Sequence, residues 1–397
     1  MFNLPGIEKV TRDATVTHFF LMFGYKVFSL YFPLFLVARG FSLPEVGYTY
    51  LLIYLPLAIS APIVGFFNHK INPAALATAG ILGYAIYALG MILIQNSTLF
   101  YFWQVLLGVS AALFFTSARG ILIASPVENY DRAFGWFYSA PFYADALAPC
   151  IGAFLIWKFN FIGVFIFSLV LQVLTAGFCY FQLRKPEIKP LDKFFNLDKF
   201  KQNYLKVFQK LKRKEILFPI VISSSILLLA GFYRAFFVLF LKESLNWSQN
   251  LILILVSASS ILFLPLSFFL IKRLEVFRSE KNISQGGLIT GSFSILFGIL
   301  MPALSFFSIL IIKAGQFAGS LVANAGRSGL VSQKLRENPE EAGALDTVFS
   351  PLGVALGALI SGLLIGFLGY QLLFILGGAL VVMVVALTGL AKSKKIN

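Results

Sequence analysis

Charge is what this sequence lacks. Only 12% of its 397 residues are Asp, Glu, Lys or Arg, against about a quarter in an ordinary soluble domain, too few to cover a water-facing surface. Acid is scarcer still, with 17 Asp and Glu against 32 Lys and Arg. Cysteine and histidine number two each. Cys150 and Cys179 both fall inside long apolar runs and the two His are far apart, so neither a disulfide framework nor a metal site is expected. A Gly-rich phosphate loop and clustered carboxylates are missing too, so catalysis and a resident cofactor are not expected. Alternation at period two is absent from the apolar runs, which excludes a membrane β-barrel.

Apolar residues fill the chain instead, at 58%, with a mean hydropathy of +0.85. A membrane-crossing helix needs about 20 of them in a row. Runs bounded by charge, Pro, Asn or Gly lie near 15–38, 44–67, 73–95, 98–124, 132–157 and 160–182, then near 216–242, 248–271, 285–303, 306–332, 340–366 and 369–391. The fold class expected is all-α and integral to a membrane, with twelve transmembrane spans in two six-helix bundles, residues 1–182 and 216–397. The first run is about twice as long as a signal-peptide core and has no small-x-small cleavage site, so it reads as span 1.

A net charge of +15 raises the question of a nucleic-acid partner, and the positions of the basic residues answer it. Of the 32 Lys and Arg, 24 fall in the termini and the even-numbered loops, and only Arg39, Lys158 and Lys242 in the opposite loops. That asymmetry is the positive-inside rule, with both termini cytoplasmic in a multi-pass cell (inner) membrane protein. No nucleic acid is needed; the lipid bilayer is the partner, and the basic loops face its anionic headgroups. The one long connection, 183–215, carries Pro186 and Pro190 and then a Lys-rich run in which Phe200, Tyr204, Leu205, Phe208 and Leu211 recur at helical spacing. It reads as a cytoplasmic basic linker with a short amphipathic helix on the inner membrane surface.

The two halves repeat each other. Ala118-Arg119-Gly120 ends span 4 and leads through Asp131, Arg132 and Ala133 into span 5; Gly326-Arg327-Ser328 ends span 10 and leads through Glu340, Glu341 and Ala342 into span 11. Gly24-Tyr25-Lys26 in span 1 matches Gly231-Phe232-Tyr233-Arg234 in span 7 more loosely. Six spans being an even number, the halves form a parallel repeat. After span 2, Gly65-Phe66-Phe67-Asn68-His69-Lys70-Ile71-Asn72 resembles a signature of the major facilitator superfamily, with His69 where that family has Asp and Asn72 where it has a second Gly. In span 4, Gln104 stands four residues before Gly108, where the family usually has Arg; span 5 keeps Ala148-Pro149 and Gly152 of a pattern that resembles drug and proton antiporters. The resemblance covers essentially the whole chain. It implies that spans 1, 4, 7 and 10 line a central cavity, and that basic residues there serve as they do in organophosphate and organic-anion carriers.

Polarity within the spans can be read independently of that likeness. Lys313, Gln316, Ser320, Asn324 and Arg327 share one face of span 10; Gln104, Gly108, Ala112, Thr116 and Arg119 share one of span 4; His18, Met22, Tyr25, Lys26 and Ser29 share one of span 1. Lipid would not tolerate such stripes, so they face protein or water. By helical rise, Lys26 lies about 17 Å and Asp145 about 20 Å from the inner ends of their helices, with Arg234 and Lys313 somewhat further out. Three mid-depth cations against one carboxylate leave two positive charges over, which a visiting anion would offset. The expected function is therefore secondary active transport of a small anionic solute by alternating access. Its substrate-binding residues would be Lys26, Arg234, Lys313, Tyr25, Gln104, Gln316 and Asn324, with Asp145 and His18 as proton-coupling groups. Arg119, Arg327 and Asp346 lie only about 8 to 9 Å from the inner surface and would form a cytoplasmic gate, with Arg119 on Glu128 or Asp131 and Arg327 on Asp346. The expected assembly is a monomer. Two rival readings are proton-coupled efflux of amphipathic or cationic drugs through Asp145, and a non-transporting receptor or scaffold.

Overall fold

The computed structural model describes residues 6–38, 40–93, 97–183 and 197–393. All regular structure among them is helical. In chain order the helices are α1 (Lys9–Ser29), α2 (Phe32–Ala38), α3 (Leu43–Asn68), α4 (Pro73–Ile92), α5 (Ser97–Ala124) and α6 (Tyr130–Leu183). There follow α7 (Leu197–Leu211), α8 (Lys214–Glu243), α9 (Gln249–Leu274), α10 (Ser279–Ile299), α11 (Phe306–Lys334) and α12 (Pro339–Ser393).

Local chemistry sets several of the boundaries. Ser42 and Glu45 form a capping box that starts α3, and the Asn72 side chain accepts from the Ala74 N–H at 3.0 Å to start α4. Span 1 is split into α1 and α2 just before Pro33, which has no N–H to continue the ladder. Span 9 begins at Ser279, ahead of the apolar run at 285, because its polar first turn holds a partner described below.

Two helices are double spans. α6 bends at Asn160 (φ 56°) and α12 at Gly369 (φ 67°), both left-handed positions that Asn and Gly tolerate best. Contacts along α1 show the reversal in α6. His18, Lys26 and Tyr31 meet Phe137, Asp145 and Pro149 in parallel, whereas Leu21, Phe28 and Phe35 meet Gln172, Phe165 and Phe161 in the opposite sense. α8 repeats the arrangement against α12, with Leu228 by Gly357 on one arm, then Tyr233 by Phe374 and Phe240 by Tyr370 on the other. With α1 and α2 as one span, α6 and α12 as two each, and α7 outside the count, the chain has the twelve expected spans.

Close helix approach relies on missing side chains. A Cβ on Gly152 would lie 1.9 Å from the Val27 carbonyl oxygen, and one on Gly357 would lie 2.0 Å from that of Leu228. Phe367, Trp157 and Phe181 are 89%, 80% and 78% exposed, so the outer wall is apolar and suited to lipid. Among the described residues eight helices are long and apolar enough to cross a membrane, the two double ones included, which accounts for ten spans; spans 1 and 9 fall outside that set. α3 and α5 pack on α12, and α6 on α9 and α11, so these helices carry the seam between the halves. α7 lies beside the seam, its Tyr204 hydroxyl donating to the Pro62 carbonyl of α3 at 2.9 Å while Lys201, Leu205 and Lys206 are exposed.

Candidate functional site

At mid-depth, charges from both halves gather. Lys26 of α1 is ion-paired with Asp145 of α6, each side chain 20% accessible. Arg234 of α8 donates a hydrogen bond to the Tyr54 hydroxyl of α3 and lies with its guanidinium carbon 5.6 Å from the centre of that ring. Tyr50 donates to the Arg234 carbonyl at 3.3 Å. Arg234 is exposed and bonds across the seam. It is near enough to Lys26 to repel it, and Lys313 of α11 acts electrostatically on both Asp145 and Lys26. The Lys313 ammonium stands 4.4 Å from the ring of Phe237, 4.8 Å from Phe317 and 5.0 Å from Tyr233.

Counting charge gives the site its sign. Asp145 is ion-paired with Lys26, while neither Arg234 nor Lys313 forms an ion pair with a carboxylate among the described residues. Their neighbours are hydroxyls and ring faces, which ease a cation's burial without cancelling its charge.

The other expected site residues divide between this place and elsewhere. Tyr25 is half-buried near Arg234, edge-on to Tyr84 at 5.9 Å. Gln104 is fully buried among the helices of its own half, taking a bond from the Tyr87 hydroxyl at 3.4 Å, so it does not reach the mid-depth charges. The rest of its stripe is sealed likewise: Thr116 and Ala112 have no exposure, and a Cβ on Gly108 would lie 2.2 Å from the Ile53 carbonyl oxygen. This stripe is covered by protein, and the buried Thr116 hydroxyl is left without a hydrogen-bond partner among the described residues. Gln316 is 5% exposed and donates to the Tyr233 hydroxyl at 2.6 Å, behind the Lys313 cage. His18 is buried at 2% exposure, bonded through Nδ1 to the Phe137 carbonyl at 2.8 Å and ringed by Phe114, Phe115 and Phe137. It therefore sits apart from Asp145, in an apolar wall with no proton path among these contacts. Asn324 belongs to the inner layer, accepting from Arg327 at 3.0 Å.

That layer lies toward the end of the molecule where α12 finishes. Gly287, near the start of α10, meets Val385, near the end of α12, which fixes the level of the C-terminal helix end. Asp346 there takes Arg327 at 2.8 Å, Ser328 at 2.6 Å and Tyr138 at 3.0 Å, with the Arg119 guanidinium at 3.5 Å. Arg119 also donates to Thr347 at 2.9 Å. Arg119 and Tyr138 come from one half, Asp346 and Arg327 from the other. The alternative partners considered for Arg119 are engaged otherwise: Glu128 bonds Arg132 at 3.0 Å, and Asp131 takes Ser279 at 2.8 Å and Asn282 at 2.9 Å. Those two α10 residues explain why the helix starts early.

Two further contacts cross the same end. Arg132 reaches Glu275 of the other half at 2.7 Å and Glu8 at 2.7 Å, and His69 reaches Glu341 at 3.0 Å. Burial works to raise the Glu8 carboxyl, but the bonds from Arg132 and the backbone prevail and hold it below its usual 4.5. His69, Glu340 and Glu341 place donor atoms within 4.8 Å of one another, close enough to hold a metal ion, with His69 distant in the chain from the adjacent Glu340 and Glu341.

The sequence reading missed Tyr54, Tyr233, Phe237 and Phe317. Each is one aromatic in a run full of them, and only the i, i+4 pair Tyr50 and Tyr54 was there to be noticed, as two hydroxyls on one helix face.

Residues 14–339 match the family model described as Major Facilitator Superfamily. Among curated proteins the chain is similar to the quinolone resistance protein NorA of Staphylococcus aureus (strain MSSA476), with 20% identity over 357 residues, covering 85% of this chain and 89% of that one. Among solved structures it resembles the human organic anion transporter MFSD10 (TETRAN), with a TM-score of 0.73 and 14% identity over 95% of this chain and 99% of that one. It also resembles a POT family transporter in complex with a thioalcohol conjugated peptide, with a TM-score of 0.77 and 14% identity over 98% and 96% of the two chains. At such identity the two structures speak for the fold alone.

Proposed function

The chain belongs to the major facilitator superfamily, and on that premise we propose that this multi-pass membrane protein is a secondary active transporter that carries a small anionic solute by alternating access. The observation that supports the anion is Arg234: midway along its span, exposed, and held by a neutral tyrosine rather than a carboxylate. A guanidinium so placed offers a planar fork for a carboxylate or phosphate, and the solute's charge offsets the cost of a lone cation at that depth.

The Lys26–Asp145 pair supplies a route to proton coupling. An anion that draws Lys26 toward itself leaves Asp145 without its cation. The Asp346 network and the Arg132–Glu275 contact act as the cytoplasmic gate, tying the inner helix ends in the closed arrangement and parting when the halves rock. Import and export are both served by such a cycle.

Efflux of lipophilic cations is the second reading, favoured by the likeness to a quinolone resistance protein and by a mid-membrane carboxylate. A thermal-stability panel separates the two. Carboxylated or phosphorylated solutes should raise the melting temperature of the purified protein, and Arg234→Ala should abolish the shift. Stabilisation by lipophilic cations alone, kept in Arg234→Ala and lost in Asp145→Asn, would overturn the anion reading.

A further inference from the structure

The two cations left over at mid-depth are not equivalent. Lys313 stands within 5.0 Å of three ring faces, Tyr233, Phe237 and Phe317, an aromatic cage of the kind that stabilises an ammonium without a counter-ion. Arg234 has one ring beside it, that of Tyr54 at 5.6 Å, and is the more exposed of the two. The site therefore has one cation in need of an anion and one already housed.

The walls around them are aromatic as well. Tyr25, Tyr54, Tyr233, Phe142 and Phe317 are all half-buried, each keeping part of its surface open. Phe142 and Phe317 pack with their rings tilted by 50° at 4.8 Å between centroids, joining α6 to α11 across the seam. A phosphate dianion brings two charges and a tightly held hydration shell. Ring faces cannot replace that shell. A ring, by contrast, packs on them edge-to-face or offset and completes the cage over the accessible side of Lys313.

Arg234 and the cage share α8. Phe237 lies one turn along that helix from Arg234, which puts their Cβ atoms about 5 to 6 Å apart, and the Phe237 ring is 4.4 Å from the Lys313 ammonium.

Resting on the anion-carrier reading, we propose that the solute is a monoanion with a flat aromatic body, its carboxylate or sulfonate on Arg234 and its ring against the Phe142, Phe317 and Lys313 wall. The tyrosine hydroxyls near Arg234 donate to the anionic group, and selection for the ring falls to residues of both halves, so the body of the solute joins them.

The test is equilibrium binding to the full-length protein in lipid nanodiscs, using 2-naphthoate, acetate, glucose 6-phosphate, the neutral 2-naphthamide and tetraphenylphosphonium as probes. The expected result is that 2-naphthoate binds at least about tenfold more tightly than acetate, glucose 6-phosphate or 2-naphthamide, a gap within reach of a few ring contacts. Phe317→Leu, which keeps an apolar side chain but removes the ring, should weaken 2-naphthoate by about tenfold, and Phe142→Leu similarly. Glucose 6-phosphate or acetate binding as tightly as 2-naphthoate, dependent on Arg234, would overturn the aromatic class while leaving the anion reading intact. Binding of tetraphenylphosphonium with no anion bound would overturn both. Binding of 2-naphthoate unchanged in both Phe→Leu variants would overturn the assigned wall.

Discussion

Tyr138 and Asp346, 208 positions apart and at equivalent places in the two halves, are joined by a hydrogen bond of 3.0 Å. The repeat thus meets itself at a point where one half contributes a phenol and the other a carboxylate. Arg119 and Arg327, also equivalent by the repeat, both turn toward that single acid. One buried negative charge holds two cations, and each half depends on the other for balance.

Replacing that acid should therefore cost more than replacing any of its neutral partners. Asp346→Asn leaves two buried guanidiniums without a carboxylate, a loss of about 3 to 5 kcal/mol, whereas Tyr138→Phe removes one hydrogen bond worth about 1 kcal/mol. Thermal unfolding in detergent checks the order; equal melting temperatures for the two variants would contradict it.

Helix contact makes a sharp prediction for two glycines of α6. Gly152→Ala drives a methyl to 1.9 Å from the Val27 carbonyl oxygen, so α1 and α6 must separate. The variant should run as aggregate on size exclusion. Gly177→Ala meets nothing within 4 Å and should be neutral or stabilise by up to about 1 kcal/mol through helix propensity.

Acid should loosen the contact between the N-terminal segment and α6. Glu8 is held below its usual 4.5, so its contribution is fully present above the unfolded value and is lost as pH falls through the lower folded value. Glu8→Gln should melt below the parent at neutral pH, and the two curves should converge as the pH drops under 4.5. A constant gap at all pH values would contradict the assignment.

The connecting helix α7 should be held by its tyrosine more than by its lysines. Tyr204 is buried and bonded to the Pro62 carbonyl at 2.9 Å, while Lys210 pairs at 2.9 Å with the exposed Glu337. Tyr204→Phe should expose α7 to protease, whereas Lys210→Ala should change little and only at low salt, as exposed pairs do.

Span number was legible in the sequence because lipid demands long apolar runs, whereas span 9 starts at Ser279, ahead of its apolar run at 285. Arg327 with Asp346 was legible for a related reason, since two opposite charges at one depth on consecutive spans have few other choices. The partner of Arg119 was not. Glu128 and Asp131 were nearer in sequence, but α12 brings Asp346 across the seam, and no periodicity in one chain reports packing between halves. Polar stripes misled in span 4 for a similar cause: a stripe shows that a face avoids lipid, not whether protein or water covers it, and Gln104 turned inward to Tyr87. The aromatic wall was hidden by abundance, with 45 Phe in the chain.

The most direct measurement is the affinity of a stabilising anion for Arg234→Ala, Arg234→Lys and Asp145→Asn, read by equilibrium binding in nanodiscs. The account predicts a loss of at least about thirtyfold in Arg234→Ala, a smaller loss in Arg234→Lys, and retained binding in Asp145→Asn. Anion binding in Arg234→Ala that matches the parent protein would contradict it.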